Sequence, residues 1–172
     1  VGLAPLLLIS STKVEGSNLA DAIKDARANE SKYNIAIPSL GAAGHLGTLE
    51  FLRLANLKLQ VVAYKGTAPA LADVMGGNVQ FMMDAMTALL PQAKAGRVRG
   101  LAVTSPQRTK LAPDIPTTAE AGLPGLDINS WYGVWAPKGM PAPIVNRLVA
   151  AVAEGVKHPD YQTRIESAGI LP

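Results

Sequence analysis

Short apolar runs alternate with amphipathic stretches along the first hundred residues. The run Leu6-Leu7-Leu8-Ile9 is continuous, which is typical of a strand buried inside a sheet. Five strands are predicted in this part, over residues 6–9, 33–37, 59–64, 79–83 and 99–104. Helices are predicted between them, capped by Ser17 and then over residues 45–56, 70–75 and 89–95. Strands and helices that alternate every ~20 residues predict an α/β fold with a mostly parallel central sheet flanked by helices.

The pattern changes after residue 104. A proline-rich loop is predicted over residues 105–116, a single helical turn over 118–122 and an aromatic strand over 130–136. Three aromatic residues of that strand are interpreted as core and interface residues: Trp131, Tyr132 and Trp135. Two helices complete the prediction, one opened by Pro141, since proline is tolerated in a first turn, and one over residues 158–168.

Composition narrows the class of protein. The 172 residues are 48% hydrophobic with a net charge of +3, which excludes intrinsic disorder. The basic residues are interspersed with acidic ones instead of clustered, so we expect no nucleic-acid partner. The absence of cysteine excludes disulfides and a thiol nucleophile. No apolar run approaches the ~20 residues of a membrane span, so the chain is not expected to be embedded in a membrane.

The strongest candidate for a binding site is the loop after the second predicted strand. It leaves the carboxyl end of that strand and enters a helix, which is where ligands of open α/β sheets gather. Free backbone N–H groups at a helix N-terminus favour an anion, and small residues let it approach the backbone. The candidate ligand-binding residues of this loop are Ser39, Gly41, Ala42, Ala43, Gly44 and His45. The alternative is an ordinary tight turn between a strand and a helix.

Three further candidates follow other strand ends. Tyr64 and Thr67 come after the third predicted strand, and Asp84 closes the fourth. Asp84 could accept a hydrogen bond from a ligand hydroxyl or amine. The alternatives are that Asp84 caps the next helix, and that Tyr64 and Thr67 only form a turn and a cap.

Catalytic and cofactor sites find little support. Ser39, His45 and Asp84 could form a triad on paper, but the G-x-S-x-G motif is missing and nothing places a base beside Ser39. His45 is expected to pack or bond locally at the start of its helix. Two distant histidines without cysteine argue against a transition-metal site. Phosphate-binding glycine motifs are missing as well, so we expect no cofactor, no metal and no enzyme activity.

Several short motifs then follow one another in a family-specific order. They are Tyr33-Asn34, the loop Gly41/Gly44-His45-Leu46, VAYKGTAPA at 62–70, LAVTS at 101–105 with Arg108, DIPT at 114–117, EAGLPG at 120–125 and SWYG at 130–133. The succession runs along essentially the whole chain. It resembles the Bug (TctC-like) family, the extracytoplasmic solute receptors of tripartite tricarboxylate transporters.

The resemblance implies a periplasmic two-domain flytrap of the type II binding-protein class, about twice this length. This chain would be its second domain. Residues 1–12 would be a crossover strand from a missing first domain, 13–136 the ligand-binding α/β domain, and 137–172 C-terminal helices that pack on it and lead back to the first domain. In the isolated chain we expect the apolar crossover strand, residues 6–9, to be exposed.

The resemblance also implies the function. Such a receptor binds a small carboxylate (a dicarboxylate, tricarboxylate, aromatic acid or amino acid) and delivers it to membrane transporter subunits. One ligand carboxylate would lie on a first-domain loop and the other on the loop from Ser39 to His45. Leu40, Ala42 and Ala43 depart from the polar or glycine residues that relatives often have there, so fewer hydroxyl groups face the ligand. Two alternatives stay open, a small α/β hydrolase or transferase and a ligand sensor for a signalling system.

Overall fold

The computed structural model describes residues 2–167 and 169–170. The chain divides into two compact units, a larger one of Pro5–Ser130 and a smaller one of Val1–Ala4 with Trp131–Pro172. The larger unit carries the sheet and the candidate binding loop. The predicted boundaries after residues 12 and 136 stay predictions.

The central sheet has the strand order β3-β2-β4-β1-β5. Its strands are β1 (Gly2–Ser11), β2 (Asn34–Ile37), β3 (Gln60–Ala63), β4 (Phe81–Ala85) and β5 (Val98–Val103). β2 runs parallel to both β3 and β4, with Ile35 opposite Val61 on one side and Phe81 on the other. β1 is antiparallel to both β4 and β5. The predicted mostly parallel sheet is confirmed, with one antiparallel strand inside it.

The position of β1 contradicts the expectation that residues 6–9 are exposed. Leu6, Leu7, Leu8 and Ile9 were expected to be exposed, yet each is at most 1% exposed because β1 lies between β4 and β5. A continuous apolar run shows that a strand is buried on both faces, but it carries no information on strand direction. The run is therefore the centre of the core and cannot be a free edge.

The core has two layers, one on each face of the sheet. Because successive side chains of a strand point to opposite faces, Leu6 and Leu8 join one cluster with Phe51, whereas Leu7 and Ile9 join the other. The first cluster packs under the helices of residues 19–28 and 43–55, and the second under those of residues 67–76 and 86–94. The helices are α1 (Leu19–Ala28), α2 (Ala43–Ala55), α3 (Thr67–Gly76), α4 (Met86–Lys94), α5 (Ala142–Gly155) and α6 (Pro159–Ser167).

Several helix starts differ from the prediction for identifiable reasons. Asn18, and not Ser17, caps α1, because its Oδ1 accepts the backbone N–H of Asp21 at 2.9 Å. α3 begins three residues early, since Pro69 in the first turn loses no helical hydrogen bond. The predicted helical turn at 118–122 is a hydrogen-bonded turn and not a helix.

The smaller unit leaves much apolar surface uncovered. It contains α5, α6 and the end of β6 (Asn129–Tyr132), a strand that pairs with β1. Trp131 and Trp135 contact each other with tilted rings whose centroids lie 5.4 Å apart, but they are 63% and 72% exposed. α5 has no buried residue. The interpretation of these aromatic residues as core is therefore wrong for this chain. The predicted last residue of α6, Ala168, lies outside the described residues.

Candidate functional site

The candidate residues meet where parallel strands end. β2, β3 and β4 run the same way, so their carboxyl ends share one edge of the sheet. Predicted candidates follow β2 and β3 there, and Asp84 lies in the last residues of β4. Two hydrogen bonds join the three strand ends. The N–H of Gly66 donates to the carbonyl of Pro38 at 2.8 Å, and the hydroxyl of Thr67 donates to Asp84 Oδ2 at 2.6 Å.

The loop between β2 and α2 is closed by its own residues. Gly41 has φ = 78°, a left-handed conformation that favours glycine. Its N–H donates to His45 Nδ1 at 3.0 Å, which confirms the expected local bond of His45. One backbone donor of the loop is therefore already occupied.

Other backbone donors remain at the start of α2. The N-cap residue Ala42 has no capping side chain, and its carbonyl accepts from the N–H groups of His45 and Leu46. The amides of Ala43 and Gly44 lie in the first helical turn, where an amide has no acceptor inside the helix. A helix start of this kind attracts an anion through its N–H groups and the helix dipole.

Gly44 allows α2 to pack closely on β4, a role that the sequence did not predict. A Cβ atom placed on Gly44 would lie 2.6 Å from the carbonyl oxygen of Met83 in β4. One turn later, a Cβ on Gly47 would lie 2.6 Å from Met83 Sδ. These glycines let α2 pack closely on β4. The space next to the Gly41 Cβ position is open, so Gly41 is the glycine of the loop that a ligand can approach.

Asp84 and Thr67 form a pair at the middle of the edge. The Asp84 carboxylate accepts the Thr67 hydroxyl, and both residues are partly buried. Neither caps a helix with its side chain, since the N-cap residues of α4 and α3 are Ala85 and Gly66. Both capping alternatives are therefore wrong. The bond orients Asp84 towards α3 and occupies the Thr67 hydroxyl.

Tyr64 is also held by a carboxylate. Its hydroxyl donates to Asp73 Oδ2 at 2.6 Å across the first turns of α3. Burial, followed by this hydrogen bond and the negative charge of Asp73, raises the pKa of Tyr64 to about 12. The same bond, with a second one from Asn78, lowers the pKa of Asp73. The Tyr64 hydroxyl is thus a fixed neutral donor that is already in use.

Replacing Tyr64 by phenylalanine should raise the pKa of Asp73 towards its ordinary value. The hydroxyl stabilises the ionised carboxylate, so its loss makes protonation of Asp73 easier as the pH falls. Carbon-13 NMR of the Asp73 carboxyl group measures the midpoint. The matched control is Tyr33→Phe, because Tyr33 donates to Asp25 instead and should leave Asp73 unchanged. An unchanged midpoint in Tyr64→Phe would contradict the assigned bond.

An open groove with a volume of about 490 Å³ lies between the first two strand ends. It is lined by Pro38, Ser39, Leu40, Ala63, Tyr64, Lys65 and Gly66. Among these lining residues Lys65 carries the only charge, and its side chain is exposed. Ser39 and Tyr64 were predicted as ligand-binding residues, Leu40 was noted only as a departure from the family pattern, and Lys65 was not predicted to be part of the site. Their position directly beside the named residues was the available signal.

The chemistry of the edge gives no support for catalysis. In the described part of the chain, His45 bonds Gly41 and Asp84 bonds Thr67, and no hydrogen bond joins Ser39, His45 and Asp84 into a triad. Within residues 2–167 and 169–170, no group of three or more His, Cys, Asp or Glu residues could hold a metal ion. None of the helices described there has the length and apolar content of a membrane span.

Comparison with known proteins finds close similarity along the whole chain. The family model described as tripartite tricarboxylate transporter family receptor matches residues 1–172. A UPF0065 protein from the tcbD-tcbE intergenic region of Pseudomonas sp. strain P51 is 36% identical over 167 residues, which are 96% of this chain and 50% of that protein. The chain thus spans about half the length of this curated relative.

Two solved structures share the fold. R. palustris Rpa4515 with adipate superposes with a TM-score of 0.90 at 34% identity, over 100% of this chain and 57% of that one. The periplasmic binding protein BugD superposes with a TM-score of 0.85 at 34% identity, over 99% of this chain and 58% of that one. The α/β fold expected from the resemblance is confirmed, at a coverage consistent with one domain of a two-domain protein.

Proposed function

The chain belongs to the tripartite tricarboxylate transporter receptor family, and we propose that it forms the second lobe of a receptor that binds a small carboxylate. The ligand lies against the carboxyl edge of the sheet, at the groove between the β2–α2 loop and the β3–α3 turn. The receptor delivers the ligand to membrane transporter subunits from the periplasm. It binds its ligand without converting it.

The observation that carries this proposal is the charge and donor pattern of the groove. Lys65 supplies a positive charge, Ser39 a hydroxyl group, and the loop that holds Ser39 leads to the free amides of Ala43 and Gly44. Hydrogen bonds from such groups to an ionised oxygen are about twice as strong as bonds between neutral groups. The adipate in the similar Rpa4515 structure supports a dicarboxylate as the ligand class.

The proposed site residues fall into two groups, those that bind the carboxylate and those that hold the sheet edge in place. Ser39, Gly41, Ala42, Ala43 and Gly44 belong to the loop and helix start that receive the carboxylate. His45, Tyr64, Thr67 and Asp84 hold that edge in shape through their bonds to Gly41, to Asp73 and to each other. Neutral donors beside one exposed lysine suit a receptor, because a buried charged clamp would slow release of the ligand.

The smaller unit supports the two-lobe proposal. Trp131, Val134 and Trp135 are each more than 60% exposed, and α5 adds Ile144, Leu148 and Val149. Exposed apolar residues in such number mark an interaction surface. We assign this surface to the first lobe, with residues 1–12 entering from it and residues 137–172 leading back to it.

Two other functions would share this fold, a small hydrolase or transferase and a sensor that reports its ligand to a signalling protein. Calorimetry on the complete protein separates binding from chemistry. Adipate is expected to bind and to be recovered unchanged, and a generic ester should not be hydrolysed. Hydrolysis or chemical change of the acid would favour the enzyme. Binding by the purified protein, together with unchanged adipate uptake in a strain that lacks this gene, would favour the sensor.

Ser39→Ala is expected to weaken adipate binding at least about tenfold, because a hydrogen bond to a charged group contributes about 1.5–3 kcal/mol. Ser31→Ala is the matched control, since Ser31 is an exposed serine of the turn before β2 that lines no part of the groove. Equal affinities for the two variants would argue against the β2–α2 loop as the ligand site.

A further inference from the structure

The groove at the carboxyl edge is lined by more apolar than charged residues. Leu40 projects at the tip of the β2–α2 loop with 72% of its side chain exposed. A single exposed leucine needs no explanation on a protein surface. Leu40, however, shares the groove with Pro38, Ala63 and the ring of Tyr64, so the apolar surface is continuous with the groove wall.

Most polar groups around the groove are already bonded within the protein. The Tyr64 hydroxyl donates to Asp73, the Thr67 hydroxyl donates to Asp84, and the Gly41 N–H donates to His45. The side-chain groups that remain in the lining are the hydroxyl of Ser39 and the ammonium of Lys65. These two can hold one carboxylate and leave little for further polar groups of a ligand.

A hydroxylated ligand would therefore lose hydrogen bonds on entering the groove. Its carboxylate could bond to Ser39 and Lys65. Once the proposed first lobe covers the groove, however, hydroxyl groups held against Leu40 and Ala63 would leave water and find no new partner on this wall. Burial of a polar group without a hydrogen bond is unfavourable, whereas burial of a methylene group against the same surface is favourable. The groove thus distinguishes ligands by whether their carbon chain carries hydroxyl groups, and not by their charge.

We infer that this groove selects carboxylates with a hydrocarbon body over polyhydroxylated carboxylates of the same length and charge, and that Leu40 is the residue that determines this specificity. The inference rests on the proposed function and names the substrate class of the same site. The occupant of the apolar wall is the methylene chain of the ligand, and its carboxylate is bonded by Ser39, by Lys65 and by the free amides at the start of α2.

Two matched pairs of acids test the inference by calorimetry on the complete protein. Adipate and glucarate are six-carbon diacids that differ only in the four hydroxyl groups of glucarate, and hexanoate and gluconate form the corresponding pair of monoacids. Within the tighter-binding pair, the unhydroxylated acid is expected to bind at least about tenfold more tightly. Leu40→Asn should reduce this ratio by about tenfold or more, through weaker binding of the unhydroxylated acid.

Leu46→Asn is the control variant, since Leu46 is 53% exposed on α2 and does not line the groove. It should keep the wild-type ratio of the two affinities. That result would show that loss of an exposed leucine elsewhere on the surface does not change the preference between the acids. Equal or tighter binding of the hydroxylated acid by the wild-type protein would overturn the inference and leave the receptor function standing. So would a Leu40→Asn variant that keeps the wild-type ratio. Failure of all four acids to bind would instead overturn the proposed function as well.

Discussion

The isolated 172-residue chain should bind adipate at least about a hundredfold more weakly than the complete two-lobed protein. In the proposed receptor both lobes bond the ligand, and this chain is proposed to supply one of them. Loss of two hydrogen bonds to a charged group, at about 1.5–3 kcal/mol each, weakens binding by at least about a hundredfold. Loss of the second wall also leaves the first carboxylate site in water, where electrostatic attraction is weaker. Calorimetry on both proteins measures the ratio.

The isolated chain is further expected to associate with itself. The cause is not the strand at residues 6–9, which is buried, but the apolar surface of the smaller unit, where Trp131, Trp135 and Val149 are each more than 60% exposed. Light scattering should show dimers or larger species for the isolated chain and mainly monomers for the complete protein. A monodisperse monomer with micromolar affinity for adipate would show that a second lobe is unnecessary.

Gly44→Val should lower the free energy of unfolding by about 1–3 kcal/mol or more. The added side chain would meet the Met83 carbonyl at 2.6 Å, and a backbone atom inside a sheet cannot move aside as a flexible side chain can. A branched residue in a helix adds a smaller cost of its own. Urea denaturation followed by circular dichroism measures the change.

Gly76→Ala gives the matched control for a helical glycine. Its new Cβ would lie 3.6 Å from the Asn78 side chain, which is ordinary contact, so no loss of stability is expected. Wild-type stability of Gly44→Val would mean that α2 does not pack on β4 as described. Lost ligand binding in this variant would not by itself identify Gly44 as a ligand contact, because the fold changes as well.

The sequence predicted the classes of the elements better than their directions. Apolar runs follow burial, so β1 was recognised as a strand from residues 6–9, but its antiparallel direction depends on connections that no local pattern encodes. Trp131 and Trp135 show a second limit of prediction from sequence, because residues predicted to be buried are exposed. Their aromatic character indicates burial, yet both are exposed in the described part of the chain, and the first lobe is proposed to cover them.

The candidate edge was predictable because parallel strands bring their carboxyl ends together. The residues that follow β2, β3 and β4 could therefore be named from their positions in the sequence alone. Their bonding could not, because the partner of each lies on another element. The Thr67–Asp84 bond joins residues 17 apart along the chain. The packing of Gly44 against the Met83 carbonyl likewise depends on how closely α2 approaches β4.

One measurement tests most directly whether a carboxylate binds at this edge. Nitrogen-15 NMR of the complete protein, titrated with adipate, reports each backbone amide separately. The largest shifts are expected for residues 39–44 and 64–67, with the amides of Ala43 and Gly44 moving downfield as they bond to the carboxylate. Unchanged signals there, with shifts confined to the second groove formed by Leu90, Lys94 and residues 111–115, would contradict the assignment of this edge as the carboxylate site.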